Sequence, residues 1–183
     1  MTLTPNSKLE RAILSNCFPD ALEAVSDGAD ANGIDFGGRS MLQVAERCGA
    51  GIQVVQSLLR WGADANQVIG KANNSLFHIA ARRENAGFIY ALLTAGVTPT
   101  KVNLAGETPL HVAATKGNYY LSTILLEYGT PIKQTDRKGL TAADRARRCG
   151  HTVLADFLDG KPLTSSAWQH ETDFEQARLA TTY

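Results

Sequence analysis

The sequence is short of nearly everything that announces a dedicated chemistry. Its three cysteines, Cys17, Cys48 and Cys149, are odd in number and far apart. That excludes a paired disulfide framework, gives no zinc-ligand spacing, and leaves free thiols, buried or half-buried, as the expectation. An excess of one charge is also missing, because 18 Lys and Arg stand against 18 Asp and Glu. Any attraction to nucleic acid or an anionic surface must then be local. No run of roughly 18 apolar residues occurs, and "MTLTPNSKLERAIL" has no basic region leading into an apolar stretch, so neither a membrane span nor a signal peptide is expected. The chain reads as cytoplasmic, with a nuclear or host-delivered location as the alternatives. "FGG" at 36–38 has no following Lys-Ser or Lys-Thr, so it is read as a loop and not as a phosphate cradle.

What the sequence does have is self-similarity. In "GETPLHVAATKGNYYLSTILLEYG", residues 106–129, Gly106, Thr108 and Leu125 return 33 residues later as Gly139, Thr141 and Leu158. The same frame reaches back to Ser75, His78, Ala80, Ala81, Leu92, Leu93 and Gly96. Further back, Leu58, Leu59 and Gly62 precede Leu92, Leu93 and Gly96 by 34, and Leu42 precedes Phe77 by 35, which places one extra residue in the "GAGI" turn at 49–52 and another in the loop after it. A first, degenerate unit keeps Leu9, Ala12 and a "GADAN" ending. About five units result, and a fixed period of this size means stacked repeats.

The local chemistry of one unit is a pair of short helices. Thr108 can cap a helix whose first residue is Pro109, where the missing backbone donor costs nothing. Gly117 can end it in the left-handed conformation, Leu121, Ile124 and Leu125 form one apolar stripe, and Gly129 stops the second helix. One such pair cannot bury its stripe alone and must stack on a neighbour.

Thr108-Pro109-Leu110-His111-Val112-Ala113, taken with the period, the paired leucines and the Gly-Ala-Asp endings, resembles the ankyrin repeat family. The resemblance implies an all-α fold, an ankyrin-repeat solenoid of stacked helix-turn-helix units joined by hairpin loops. It covers residues 5–160, divided at about 5–35, 36–70, 71–103, 104–136 and 137–160, with a C-terminal tail at 161–183 read as disordered or as a short helix. Ser40-Met41-Leu42-Gln43 and Ser75-Leu76-Phe77-His78 lack the proline. Thr141-Ala142-Ala143-Asp144 replaces the histidine, a variant similar to that of terminal ankyrin units.

Within that frame His78 and His111 recur at equivalent positions, and the resemblance implies that each imidazole braces backbone and hydroxyl near the turn. A metal or acid-base role would need convergent carboxylate, Cys or His partners, and the spacing offers none. Neither does Cys149-Gly150-His151 supply a nucleophile with an orienting group. No catalytic residue, metal or cofactor is assigned, and the chain reads as a protein that binds another protein.

The resemblance places partner contacts on the hairpin loops and the ends of the first helices. At the helix ends these are Arg47, Arg82, Arg83, Thr115, Lys116 and Arg148. On the loops they are Phe36, Arg39, Lys71, Val102, Glu107, Arg137 and Lys138. Most are basic, which makes an acidic surface or segment the expected partner of an adaptor or inhibitor acting as a monomer. A host-directed bacterial or viral effector, a regulator resembling ankyrin-type kinase inhibitors, and a nucleic-acid-binding protein are the alternatives. The last is disfavoured by neutral charge and the lack of interleaved aromatics. "LLRWGADAN" also resembles ankyrin segments hydroxylated on asparagine, although Asn66 suits closure of a turn.

Overall fold

A computed structural model describes residues 3–35 and 37–161 of the chain. Among them are ten helices: α1 Pro5–Leu14, α2 Phe18–Ser26, α3 Met41–Cys48, α4 Ile52–Arg60, α5 Leu76–Arg82, α6 Ala86–Thr94, α7 Pro109–Lys116, α8 Tyr119–Glu127, α9 Ala142–Arg148 and α10 Thr152–Leu158. One small antiparallel hairpin, β1 Val68–Ile69 with β2 Asn74–Ser75, pairs Val68 with Ser75 and Ile69 with Asn74. The fold is all-α and built of helix pairs. The tail proposed at 161–183 lies outside the described residues except for Lys161, and so does Phe36.

Each helix has ten residues or fewer, too few to persist in water without tertiary packing. Side-chain caps start most of them. Thr4, Ser40, Thr108 and Thr141 each accept the backbone N–H three residues on. At the C-terminal ends of the first helices the backbone turns left-handed at Asn16, Gly49, Glu84, Gly117 and Gly150. The following N–H then satisfies a carbonyl left open at the helix end, as in Asn118 N–H to Ala113 O and His151 N–H to Ala146 O. Gly117 is required twice over. Its φ is 72°, and a Cβ there would collide with the His151 imidazole. The extra residue of the second repeat is Ala50, which separates left-handed Gly49 from Gly51, the N-cap of α4.

The described residues pack as two units, one formed by 3–67 with 85–97 and the other by 68–84 with 98–161. In the first, α1 packs on α2 and α3, and α4 on α6. Leu9, Ile13, Leu42, Val55, Leu58, Ile89 and Leu92 are fully buried there. Asn32 ties its two "GADAN" turns together, donating to Gly62 O and accepting from Asp64 N–H, each at 2.7 Å. In the second unit α7 lies against α5, α8 and α9, and α9 against α10. Ala113 and Ala114 are fully buried in it beside Leu110, Leu121 and Leu125, the small side chains letting backbones approach. Burying one such leucine contributes about 2 kcal/mol.

One expectation is corrected. Cys48 and Cys149 are exposed, and only Cys17 is partly buried. Cys48 is the last residue of α3 and Cys149 the C-cap of α9, where the chain leaves the core for the left-handed turn.

Candidate protein-binding surface

Three hairpin tips are closed by the same device. Asp35, Asn103 and Asp136 each turn one side-chain oxygen back onto two backbone N–H groups of their own tip. Asp35 accepts from Gly37 and Arg39, both at 2.8 Å; Asn103 from Ala105 at 2.9 Å and Glu107 at 3.0 Å; Asp136 from Lys138 at 2.8 Å and Leu140 at 3.0 Å. Asx side chains favour turns for this reason. In the second unit the tips are also joined by backbone, Leu104 N–H to Ala72 O and Arg137 N–H to Ala105 O, each at 2.9 Å.

The fourth tip departs from this pattern. Ile69 stands opposite Asn74 as Asn103 stands opposite Glu107, so no side-chain acceptor is available. The connection 70–73 is one residue longer, and Asn73 takes the left-handed turn at φ 51°.

Both histidines brace adjacent segments. His78 Nδ1 accepts from the Ser75 hydroxyl at 2.7 Å and from Ser75 N–H at 3.2 Å, which puts the ring proton on Nε2, and Nε2 donates to Glu107 O at 2.7 Å. His111 repeats this with Thr108 at 2.8 and 3.1 Å and with Leu140 O at 3.1 Å. Burial holds both imidazoles below their ordinary pKa, in the neutral form this arrangement needs. At the equivalent place in α9, Asp144 accepts from Thr141 N–H at 2.9 Å and its hydroxyl at 2.8 Å. It performs the inward half of the histidine's work and presents no outward donor.

Sequence reasoning missed a polar network behind the tips. Arg145 directs Nε to Asp136 Oδ2 at 2.8 Å and its NH1 nitrogen to Glu107 Oε1 at 2.7 Å. Glu107 Oε2 accepts from Asn103 Nδ2 at 2.7 Å, which also reaches Asn74 Oδ1 at 3.0 Å. Burial pushes the Asp136 carboxyl up, but the Leu140 N–H, the Arg145 guanidinium and the Lys138 N–H outweigh it and hold the pKa at about 2. Two signals were available: an Asp or Asn three residues before Gly38, Gly106 and Gly139, and an arginine at 145 where the frame has Val112 and Ile79.

The residues expected to meet a partner divide into two groups. Arg47, Lys71, Arg82, Lys116, Arg137, Lys138 and Arg148 are exposed and, among the described residues, make no side-chain ion pair. Arg83 and Val102 are exposed as well. By contrast, Arg39 is bound to Asp35 through Nε at 2.7 Å, Glu107 is committed to the network, and the Thr115 hydroxyl donates to His111 O at 2.8 Å. Asn66 donates its backbone N–H to Asp64 Oδ1 at 2.8 Å in a turn. Among the described residues no group of three or more His, Cys, Asp or Glu could hold a metal ion, and no helix is long and apolar enough to cross a membrane.

Charge is unevenly shared. The described part of the second unit holds twelve Lys and Arg against seven Asp and Glu, while the first holds five against eight.

Stacked helix pairs, capped and turned alike, define a repeat protein, and comparison with known proteins says which kind. The family description "Ankyrin repeats (3 copies)" matches residues 77–162. Ankyrin repeat domain-containing protein 37 of Bos taurus is 31% identical over 111 residues, spanning 61% of this chain and 70% of that protein. The chain belongs to the ankyrin repeat family. Potassium channel GORK of Arabidopsis thaliana is 35% identical over 75 residues, 41% of this chain. Diacylglycerol kinase iota of Mus musculus is 33% identical over 97 residues, 50% of this chain. The chain covers 9% of the length of each of these two larger relatives, so the likeness concerns a small part of them. Ankyrin repeats generally mediate protein–protein interaction, and the family is typically a non-catalytic interaction module.

Proposed function

We propose that this chain is a non-catalytic adaptor or inhibitor that captures an acidic protein surface or segment. The surface is the exposed basic set on the second unit: Arg82, Arg83, Lys116 and Arg148 at the helix ends, and Lys71, Arg137 and Lys138 on the tips. Val102, 49% exposed, supplies an apolar anchor beside them. The observation that carries this reading is a division of labour among charges. The tip carboxylates Glu107 and Asp136 are turned inward and neutralised by Arg145, while the neighbouring cations face solvent. The guanidinium forks of Arg82, Arg137 and Arg148 then remain available for carboxylates of a partner.

A labelled acidic peptide of about 16 residues, rich in Asp and Glu with interspersed Leu, tests this by fluorescence anisotropy. Arg82→Glu with Lys116→Glu is expected to weaken binding about tenfold or more, whereas Lys8→Glu on the first unit leaves it within about twofold. Unchanged capture by the doubly reversed variant would remove the basic surface from the reading. Tighter binding of single-stranded DNA, with a steep loss as salt rises, would move the function to nucleic acid.

A further inference from the structure

We propose that Arg145 is a positioning residue of the binding surface, coupling tip 103–107 to tip 136–140 so that a partner meets them as one preorganised edge. The proposal rests on the reading of these tips as partner-binding. In the repeat frame, residue 145 corresponds to Val112 of α7 and Ile79 of α5, so an apolar side chain would serve packing at this place. An inward ion pair is often no more stabilising than a well-packed apolar residue. What the guanidinium adds is geometry. Its planar fork engages Asp136, whose other oxygen holds the Lys138 and Leu140 N–H groups. Its remaining terminal nitrogen holds Glu107, which fixes the Asn103 carboxamide, and that carboxamide closes tip 103–107 on the Ala105 and Glu107 N–H groups.

One side chain therefore anchors both turns. The backbone bond from Arg137 N–H to Ala105 O joins the same two tips directly. Leu104, 46% exposed, and the exposed Arg137 and Lys138 ride on this coupled edge. A partner binding there has fewer loop conformations to freeze, which favours affinity without adding a contact.

Amide hydrogen exchange on the full chain reads the coupling without any partner. Arg145→Met is expected to speed exchange at Ala105, Glu107, Arg137, Lys138 and Leu140 by about tenfold or more. The Leu121 and Leu125 amides should stay within about twofold. Glu107→Gln removes only the first link, so it should loosen 103–107 and leave Lys138 and Leu140 protected. Arg145→Lys keeps the charge but not the fork and should not restore protection. Tip exchange at the wild-type rate in Arg145→Met and Glu107→Gln would overturn the coupling, and so would equal acceleration of tips and core. With the acidic peptide as probe, Arg145→Met is expected to bind about fivefold more weakly, mainly through faster dissociation. Unaltered binding despite loosened tips would overturn the positioning role. Failure of the wild-type chain to bind the peptide would strike the proposed function, while exchange would still decide the coupling.

Discussion

Residues 68–84 and 101–117 carry out the same three tasks with different letters. Each stretch closes a tip, starts a helix and ends it. At the helix start the letters differ but the bonds do not. Ser75 and His78 reproduce what Thr108 and His111 do, and Leu76 replaces Pro109 at a position that needs no donor. At the tip and the helix end the bonds themselves differ. Ile69 offers no acceptor where Asn103 offers one, and Glu84 holds a left-handed φ of 58° where Gly117 holds 72°. Substitutions are silent where a hydrogen-bonding role is conserved in kind, and they leave a local cost where it is not.

The largest expected effect comes from removing a closing acceptor. Asp136→Ala strands the Lys138 and Leu140 N–H groups and deprives Arg145 of its principal partner, leaving tip 136–140 without a side-chain acceptor, as 68–75 is. Loss of a partner in an inward charge pair costs about 3 kcal/mol, readable by urea denaturation near pH 7. The pH dependence checks the cause. A carboxyl held at about 2 when folded, below its ordinary 3.8, contributes stability that is present above 3.8 and lost as pH falls through about 2. That acid limb should shrink in the variant.

The next effect tests the feature the two stretches share. Burial lowers the pKa of both His78 and His111 below the ordinary 6.5. On acidification the unfolded chain takes up protons near 6.5 that the folded chain refuses. Stability is therefore full above about 6.5 and declines as pH falls towards the folded-state values, flattening below them. Urea midpoints at pH 7.5 and 5.5 should show this decline, and it should be reduced in His78→Gln with His111→Gln. A variant declining as steeply as the wild type would show that other groups carry it.

How far these features were legible follows from the range of the interactions. The helix pairs, the capping residues and Gly117 were readable because each depends on neighbours within about four positions. His111 as a brace was readable because its role recurs. Asp144 was seen as a departure but not understood, since its reason lies in the absent outward donor of a carboxylate. Arg145 was hidden because its partners lie nine residues away at Asp136 and in another repeat at Glu107. Sequence also could not tell Arg39, which serves its own loop, from Arg82, which faces solvent, because only folded geometry shows where Asp35 points.

The smallest expected effect is a gain, and it bears on the helix-end difference. Glu84 occupies the position that Gly49, Gly117 and Gly150 fill elsewhere, and a Cβ in the left-handed region meets the following carbonyl at a cost of about 1 kcal/mol. Its carboxylate recovers little, accepting from Asn118 Nδ2 at 3.4 Å in an exposed setting. Glu84→Gly should therefore raise stability by about 0.5 to 1 kcal/mol despite the greater freedom glycine gives the unfolded chain. The same exchange run backwards, Gly117→Ala, should cost about 2 kcal/mol, because strain there is joined by collision with His151. If thermal denaturation finds Glu84→Gly neutral or destabilising while Gly117→Ala is costly, the strain at 84 is offset by contacts of its side chain. If both exchanges are near neutral, the left-handed turn does not limit stability at either helix end.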